Sequence, residues 1–471
     1  MHLVINLFYL LFLFFVSPWV VYRAIRYGRY RRGWMEKLFG LVPIPPTTGS
    51  KSPQSPCRVW LHAVSVGEVQ LMRPLVARFK KERPDLQLII SASTDSGYAL
   101  ARQLFSDDQV IYAPLDFTWA IATAWKRIRP SLVVLMELEL WPNWLRYAQR
   151  VDCPIAVVNG RLSENSFRGY QRIHRWVQPM FGSLDWVGAQ TKPYAERFSQ
   201  LGAPTSVVEV TGNLKFDGAE PNRFAGEVQE RRQLLGLPDL PPFASPGFPS
   251  PVGDHANSSH LPVSELEPFV WVAGSTQHPE EEIVLGAFSK LATRFPQLKL
   301  LLVPRHPERF EEVALKIAET QYSWTRRSEC QLSERPSTKL PPGWRIFLGD
   351  SVGELRWWWG LADVAFVGGS FGDRGGQNMI EPCAYGVATC FGPNTKNFAD
   401  VVDLLLKDQA CVQLQNPDDL ATFLEQVLVD APLRQELGRR AQHSASEHRG
   451  AIDRTWQGLA KFLPPAIPDQ P

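Results

Sequence analysis

Glutamates at the exits of apolar runs, and one loop with two glycine pairs, carry most of the chemistry this chain could perform. The stretch VGGSFGDRGGQNMIEP, residues 367–382, follows the apolar run LADVAFVGG and places Gly368–Gly369 and Gly375–Gly376 ahead of Gln377–Asn378. This pattern predicts a buried strand, a loop whose backbone can approach a ligand closely, and a helix start whose N–H groups favour an anion. Glu381 falls in the first turn of that helix, within reach of sugar hydroxyls. A nucleotide phosphate and ribose are the ligand chemistry such a segment suits. Glycine content alone would also fit an ordinary strand–turn–helix corner, so the other motifs decide.

Five of them fall at strand ends. HAVSVGEV puts Glu68 directly after Gly67, either as a helix-dipole partner or as a general base exposed by its glycine-flanked exit. In LMELELWPN, Glu137 and Glu139 leave a buried strand two residues apart, which in extended chain is the same face. Two carboxylates there are costly unless partnered, which points to function. VTGNLKFD places Lys215 between a strand and the domain junction. LLLVPRHPERF follows a buried strand with Arg305, suited to a phosphate or carboxylate, and with His306, equally suited to capping a helix. GDSVGEL holds Gly353 and Glu354 before Trp357–Trp359, tryptophans that read as packing rather than as a base-stacking platform.

The elements that must position these residues alternate. RVWLHAV, LQLIISAS, QVIYA, LVVLME, PIAVVN and DWVGAQ are short branched runs separated by helical stretches such as 68–82 and 117–129. A second series, FVWVAG, LKLLLV, WRIFLG, DVAFVG, VATCFG and ACVQL, begins near residue 269. The rhythm predicts two parallel sheets covered by helices, an α/β protein with a ligand in a cleft at the carboxyl ends of both. The expected division is 1–40 as membrane anchor and basic flank, 41–236 as a first Rossmann-like domain, 237–266 as a Pro/Ser-rich linker, 267–439 as a second Rossmann-like domain, and 440–471 as terminal helices and tail. Residues 3–21 carry no charged side chain and are followed by Arg23, Arg26, Arg29, Arg31, Arg32 and Lys37, opposed only by Glu36. Such a run is just long enough to enter or span a bilayer, and its basic flank would keep the rest of the chain in the cytoplasm. Pro18 and Asn6 leave open a kinked, interfacial helix. A formal net charge of only +2 argues against a nucleic-acid binder. The six cysteines are scattered without metal-ligand spacing and predict buried free thiols.

HAVSVGEV, ELELWPN, NGRLSENSFRGY, TGNLKFD, PRHPERF, GDSVGEL, FVGGSF and GGQNMIEP occur in an order and spacing that resembles the 3-deoxy-D-manno-octulosonic acid (Kdo) transferases of lipopolysaccharide synthesis. The resemblance runs from the N-terminus to about residue 445. It implies a GT-B glycosyltransferase with two Rossmann-like domains facing a cleft and an N-terminal membrane-anchor helix. The implied reaction moves Kdo from CMP-Kdo to a lipid A precursor, lipid IVA, with no cofactor. A single base opposite the leaving group implies inversion, and no DxD-type acidic pair stands beside the phosphate segment, which fits a metal-independent reaction. By position, Glu68 matches the proton acceptor, and Glu137 and Lys215 match residues that stabilise the transition state. Pro304, Arg305, Val352, Gly353, Glu354, Asn378, Met379, Ile380 and Glu381 match the segments that hold the CMP moiety. The implied location is the inner membrane, reached through residues 1–40, with the catalytic domains on the cytoplasmic side. Gln377 stands where the family pattern has histidine, and the 237–266 insertion is longer than the usual junction.

The residues agree with that chemistry. Sugar transfer from a phosphate develops positive charge at the anomeric carbon and negative charge on the leaving group, so it needs a base on one side and cationic or N–H donors on the other. A dinucleotide oxidoreductase would need GxGxxG after the first strand, where SVGEV stands. Another nucleotide-sugar-dependent GT-B enzyme, such as a lipid-linked N-acetylglucosaminyl transferase or a sugar epimerase, and a catalytically inactive membrane-associated relative are the remaining alternatives.

Overall fold

The computed structural model describes residues 2–27, 32–44, 57–218, 221–238, 267–330 and 343–465. It divides the chain into two compact units, Met1–Gly218 with His448–Pro471, and Ala219–Glu447. The Pro/Ser-rich stretch expected as a linker lies, from residue 239 onward, outside the described residues.

In the first unit, strands β1 (Arg58–Ala63), β2 (Gln87–Ala92), β3 (Gln109–Tyr112), β4 (Leu132–Met136), β5 (Ile155–Gly160), β6 (Trp186–Ala189) and β7 (Val208–Val210) form one sheet in the order β3-β2-β1-β4-β5-β6-β7. Every pairing is parallel. Burial explains the branched runs: β1, β4 and β5 are covered on both faces, so they read as continuous apolar strings rather than alternating ones. Trp60, Ile89, Val133 and Phe181 fill the core on one face, while Leu61, Val69, Phe79 and Val134 fill the other.

The last helix, Ala451–Ala460, belongs to this first unit. Gly458 lets it approach the sheet, because a Cβ there would come within 2.1 Å of the Trp186 ring. Trp456 packs edge-on against Phe79 of the helix Val66–Glu82, with centroids 5.2 Å apart.

In the second unit, β8 (Phe269–Thr276), β9 (Leu298–Pro304), β10 (Trp324–Arg326), β11 (Ile346–Leu348), β12 (Val364–Val367), β13 (Ala388–Phe391) and β14 (Val412–Gln413) form a second sheet, in the order β10-β11-β9-β8-β12-β13-β14. It too is parallel throughout. Two such parallel-sheet units are what the GT-B expectation requires. Cys153, Cys330, Cys383, Cys390 and Cys411 are buried free thiols and Cys57 is half-buried. Trp358 and Trp359 are buried in the second unit, as packing residues.

The N-terminal membrane-anchor helix is corrected. Residues His2–Tyr27 form a helix, but among the described residues no helix is long and apolar enough to cross a membrane. The uncharged run is broken by polar groups that the first unit uses. Asn6 Nδ2 donates to Thr118 Oγ1 at 2.7 Å, and the Tyr9 hydroxyl donates to Asp116 Oδ2 at 3.0 Å. Pro18 sits inside the same helix. The basic flank also differs from a free cationic patch. Lys37 is buried, 3.3 Å from Asp95 Oδ1 and 4.1 Å from the centre of the Tyr112 ring. Arg29 and Arg31 lie outside the described residues.

Candidate active site

The strand order of the first sheet reverses between β1 and β4, and the crevice beside such a point is where parallel α/β sheets bind ligands. Glu68 and Glu137 follow these two strands. Ser65 caps the helix Val66–Glu82: its Oγ accepts the Glu68 N–H at 3.4 Å, and the Glu68 carboxylate reaches back. Glu68 Oε1 accepts from Ser65 Oγ at 2.7 Å, and Oε2 accepts the Val64 N–H at 2.8 Å. This reciprocal Ser-x-x-Glu cap fixes the carboxylate, which is 9% exposed, while each oxygen keeps acceptor capacity. The helix-partner role is thus met, whereas the exposed exit expected of a general base is not: the Glu68 carboxylate is buried against its cap.

Glu137 departs from expectation in geometry. β4 ends at Met136, and Glu137 has a φ of +56°, so it turns out of the strand and does not share a strand face with Glu139. Its N–H donates to Val158 O at 2.9 Å, which holds this turn to β5. Glu139 lies close enough to Glu68 and Glu137 to feel both charges. Burial, then the Glu68 charge, then Glu137, push its carboxyl up to about 7 against a hydrogen bond from Trp141.

Lys215 is carried by the short 3-10 turn Leu214–Gly218 after β7. Leu214 is buried in the same core as Val69 and Met72 of the Glu68 helix. Asn159, at the end of β5, accepts the Leu214 N–H on Oδ1 at 3.0 Å and has a φ of +57°. Asn213 accepts the Lys215 N–H on Oδ1 at 3.0 Å and donates to Gln190 Oε1 at 3.2 Å. Asn159, Gln190 and Asn213 escaped sequence reasoning, which weighted charge over neutral amides. Their signal was position, each just at or after a strand end.

The second sheet reverses its order between β8 and β12. Pro304 ends β9 and Arg305 follows it, Val352, Gly353 and Glu354 follow β11, and Asn378 to Glu381 follow the β12 loop. The last of these groups is paired within itself, and the first reaches it through the Arg305 charge. Asn378 Nδ2 donates to Glu381 Oε1 at 3.0 Å, and the charges of Arg305 and Arg356 act on Glu381. Burial nonetheless raises the Glu381 carboxyl above its ordinary range, against Asn378, the Trp359 indole and the two arginines. Arg356 is a cation that sequence reasoning passed over. Arg305 is exposed, with its backbone N–H fixed to Thr276 O at 3.0 Å.

Met379 and Ile380 are fully buried, so a ligand at this segment would meet their backbone rather than their side chains. The helix after them runs only from Ile380 to Ala384, and the Ile380 N–H already bonds Asn378 Oδ1 at 3.1 Å. Glu354 is committed inward. Ser351 Oγ, Arg327 Nε and Arg231 Nη2 lie 2.5, 2.8 and 2.6 Å from its oxygens. Burial would raise its pKa, but the Ser351 hydroxyl and the two guanidinium groups outweigh this and lower it. Glu354 thus shapes the loop whose exposed members are Val352 and Gly353, the latter with a φ of +85°.

The two glycine pairs have different fates. The carboxylate of Glu280, at the start of the helix Glu280–Ala292, accepts the N–H groups of Gly369, Ser370 and Phe371 at 2.6, 2.8 and 3.0 Å, and that of Gln277 at 3.0 Å. An anion nest made by the first pair is therefore filled from within. The second pair, Gly375 and Gly376, has φ values of +88° and +81°, which suit glycine. A Cβ at Gly375 would meet the Lys396 side chain at 2.5 Å. Glu280 was missed because HPEEE resembles an ordinary acidic first turn; its place after the central strand β8 was the available signal.

A family model described as 3-deoxy-D-manno-octulosonic-acid transferase (kdotransferase) matches residues 28–218. Over 444 residues the chain is 30% identical to the 3-deoxy-D-manno-octulosonic acid transferase of Haemophilus influenzae, with 93% of each chain covered. It is 32% identical over 415 residues to the enzyme of the same name from Bordetella pertussis, covering 86% of this chain and 87% of that one. Among solved structures, UDP-GlcNAc 2-epimerase of Neisseria meningitidis shares the fold, with a TM-score of 0.51, 11% identity, and 86% and 100% of the two chains covered.

Proposed function

The chain belongs to the 3-deoxy-D-manno-octulosonic acid (Kdo) transferase family of glycosyltransferases, and on that premise we propose that it moves Kdo from CMP-Kdo to lipid IVA, a lipid A precursor. Inversion, no metal and Glu68 as general base complete the proposal. The observation that supports it most is the setting of Glu68. Its carboxylate sits at the switch point of the first sheet, oriented by Ser65 and the Val64 N–H, with Glu139 close by. A base held in one orientation can take the acceptor hydroxyl proton as that oxygen attacks the anomeric carbon. One carboxylate opposite the leaving group implies inversion, by analogy with inverting glycosidases.

On the donor side, Arg305 and Arg356 supply positive charge for the departing phosphate, and the Asn378–Glu381 pair offers acceptors for ribose hydroxyls. Glu137 and Lys215 are assigned to stabilising the transition state.

The same proposal locates the enzyme at the inner membrane, with its catalytic units on the cytoplasmic side. Along the helix His2–Tyr27, Phe8, Phe12, Phe14, Phe15 and Trp19 are exposed, and we propose that they lie against lipid rather than cross it.

Product analysis tests the reaction. Purified protein is incubated with CMP-Kdo and tetraacylated lipid A precursor, with and without EDTA, beside Glu68→Ala. Kdo-bearing lipid that forms despite EDTA and is lost in the variant supports the full reading. Product that requires a metal overturns the metal-independent part. No product from folded wild type redirects the assignment to another nucleotide sugar or to an inactive relative, with Gln377 the first residue to revert to histidine.

A further inference from the structure

We propose that Asn159 is a positioning residue for Lys215, acting through a ring of neutral amides that ties the ends of β5, β6 and β7 to the turn carrying the lysine. The inference rests on the transferase reading for the role of Lys215, but the ring itself stands on geometry. Asn159 Oδ1 accepts the Leu214 N–H at 3.0 Å, and its carbonyl oxygen accepts from Gln190 Nε2 at 3.0 Å. Gln190 Oε1 accepts from Asn213 Nδ2 at 3.2 Å, and Asn213 Oδ1 accepts the Lys215 N–H at 3.0 Å. The Gln190 N–H closes the ring on Gly160 O at 3.0 Å. Two consecutive backbone amides are thus held by side chains: that of Leu214 by Asn159 of β5, and that of Lys215 by Asn213, two residues earlier in its own loop.

Asn159 is costly where it stands. It is fully buried, its φ of +57° lies in the left-handed region, and its Nδ2 has no hydrogen-bond partner among the described residues. An unmet buried donor and a left-handed backbone on one residue are departures that concentrate where position matters more than stability. The next strand end repeats the backbone feature. Glu137, whose N–H is bonded to Val158 O, has a φ of +56°. Asn159 therefore lies between the turn that carries Glu137 and the turn that carries Lys215. A side chain in this place sets where the ammonium stands without touching substrate.

The test is a double-mutant cycle on the full chain together with hydrogen exchange. Asn159→Gly keeps the left-handed backbone and the carbonyl acceptor while removing the amide. It is expected to lower kcat about 10- to 100-fold, with KM for CMP-Kdo within about twofold, because misplacing a transition-state group costs turnover rather than binding. In a Lys215→Ala background the same change is expected to cost nothing further. Singles that multiply in the double variant, or an Asn159→Gly kcat within about twofold of wild type, would overturn the inference. If Asn159→Gly does not fold, Asn213→Ala enters the same cycle with the same expectations.

Hydrogen exchange read by mass spectrometry keeps the test separate from the transferase reading. The peptide spanning Leu214–Gly218 should exchange at least about tenfold faster in either variant, with β1 and β4 unchanged. Unchanged exchange in that turn sinks the proposal whether or not Kdo is transferred. Faster exchange in a protein with no transferase activity keeps the ring and discards the reaction assigned to it.

Discussion

Asp217 caps the last helix of the chain: its Oδ2 accepts the Ile452 N–H and its Oδ1 the Gly450 N–H, both at 2.5 Å. It does so from the same 3-10 turn that carries Lys215. The helix Ala451–Ala460 thus anchors the turn in addition to the amide ring. Asp217→Ala should cost about 1–2 kcal/mol of stability, the usual worth of a helix cap. It should also lower kcat while leaving KM for the donor nearly unchanged. Urea denaturation and steady-state kinetics on the same preparation check both, and a stability loss with full turnover would disconnect the cap from Lys215.

Glu68 has a structural and a proposed chemical role, and the two can be separated. Ser65→Ala removes the reciprocal cap and should cost about 1 kcal/mol, with most of the transfer retained. Glu68→Gln keeps an amide oxygen to accept from the cap but cannot take a proton, so transfer should fall by at least about 100-fold. Equal activity losses in the two variants would reduce Glu68 to a helix cap.

Glu280 should govern the order of the loop after β12. Glu280→Ala leaves the N–H groups of Gln277, Gly369, Ser370 and Phe371 without their acceptor, and each buried donor left unmet costs about 1–3 kcal/mol. A loss of at least about 3 kcal/mol is expected, read from the urea midpoint. Glu280→Gln retains one acceptor oxygen and should lose less. A midpoint unchanged by Glu280→Ala would mean that the loop holds without its internal anion.

Stability should fall as pH rises through the window set by Glu139. Its carboxyl is raised from the ordinary 4.5 to about 7, so between these values the folded chain holds a proton that the unfolded chain has released. More protons bound in the folded state means that unfolding free energy decreases with pH, levelling off above about 7. Asp116, which burial also pushes up to about 7, adds to the same slope. Urea midpoints at pH 5 and pH 8 should therefore differ less in Glu139→Gln than in wild type. Identical pH dependence in the two proteins would refute the assignment.

Most of the two sheets was legible because strands covered on both faces are written as apolar strings. Val133–Met136 and Leu300–Val303 announce themselves. The strand that escaped notice, β10, is a three-residue edge, too short for any period to show; β7, equally short, showed only through the motif that follows it. The charged site residues were legible from their place after strands, but their geometry was not. Nothing local to MELEL says that Glu137 turns left-handed, since that follows from its bond to Val158 in the neighbouring strand. The apolar N-terminal run misled for a related reason. Asn6 and Tyr9 look like interruptions of a membrane span until Thr118 and Asp116, more than a hundred residues away, are seen to receive them. Glu280 was hidden because its partners, Gly369 to Phe371, come from a loop far along the chain.

Because the first unit takes its last helix from residues beyond Glu447, it is not a contiguous length of chain. On the ribosome, the sheet β1–β7 is complete long before the helix Ala451–Ala460 exists, and at ordinary synthesis rates the interval is on the order of ten seconds or more. Through that interval the Trp186 and Phe79 surfaces that the helix will cover stay open, and the turn carrying Lys215 lacks its Asp217 tie. The nascent enzyme is therefore finished by its final segment, and a chain stalled before residue 448 would hold a whole second unit beside an uncapped first one.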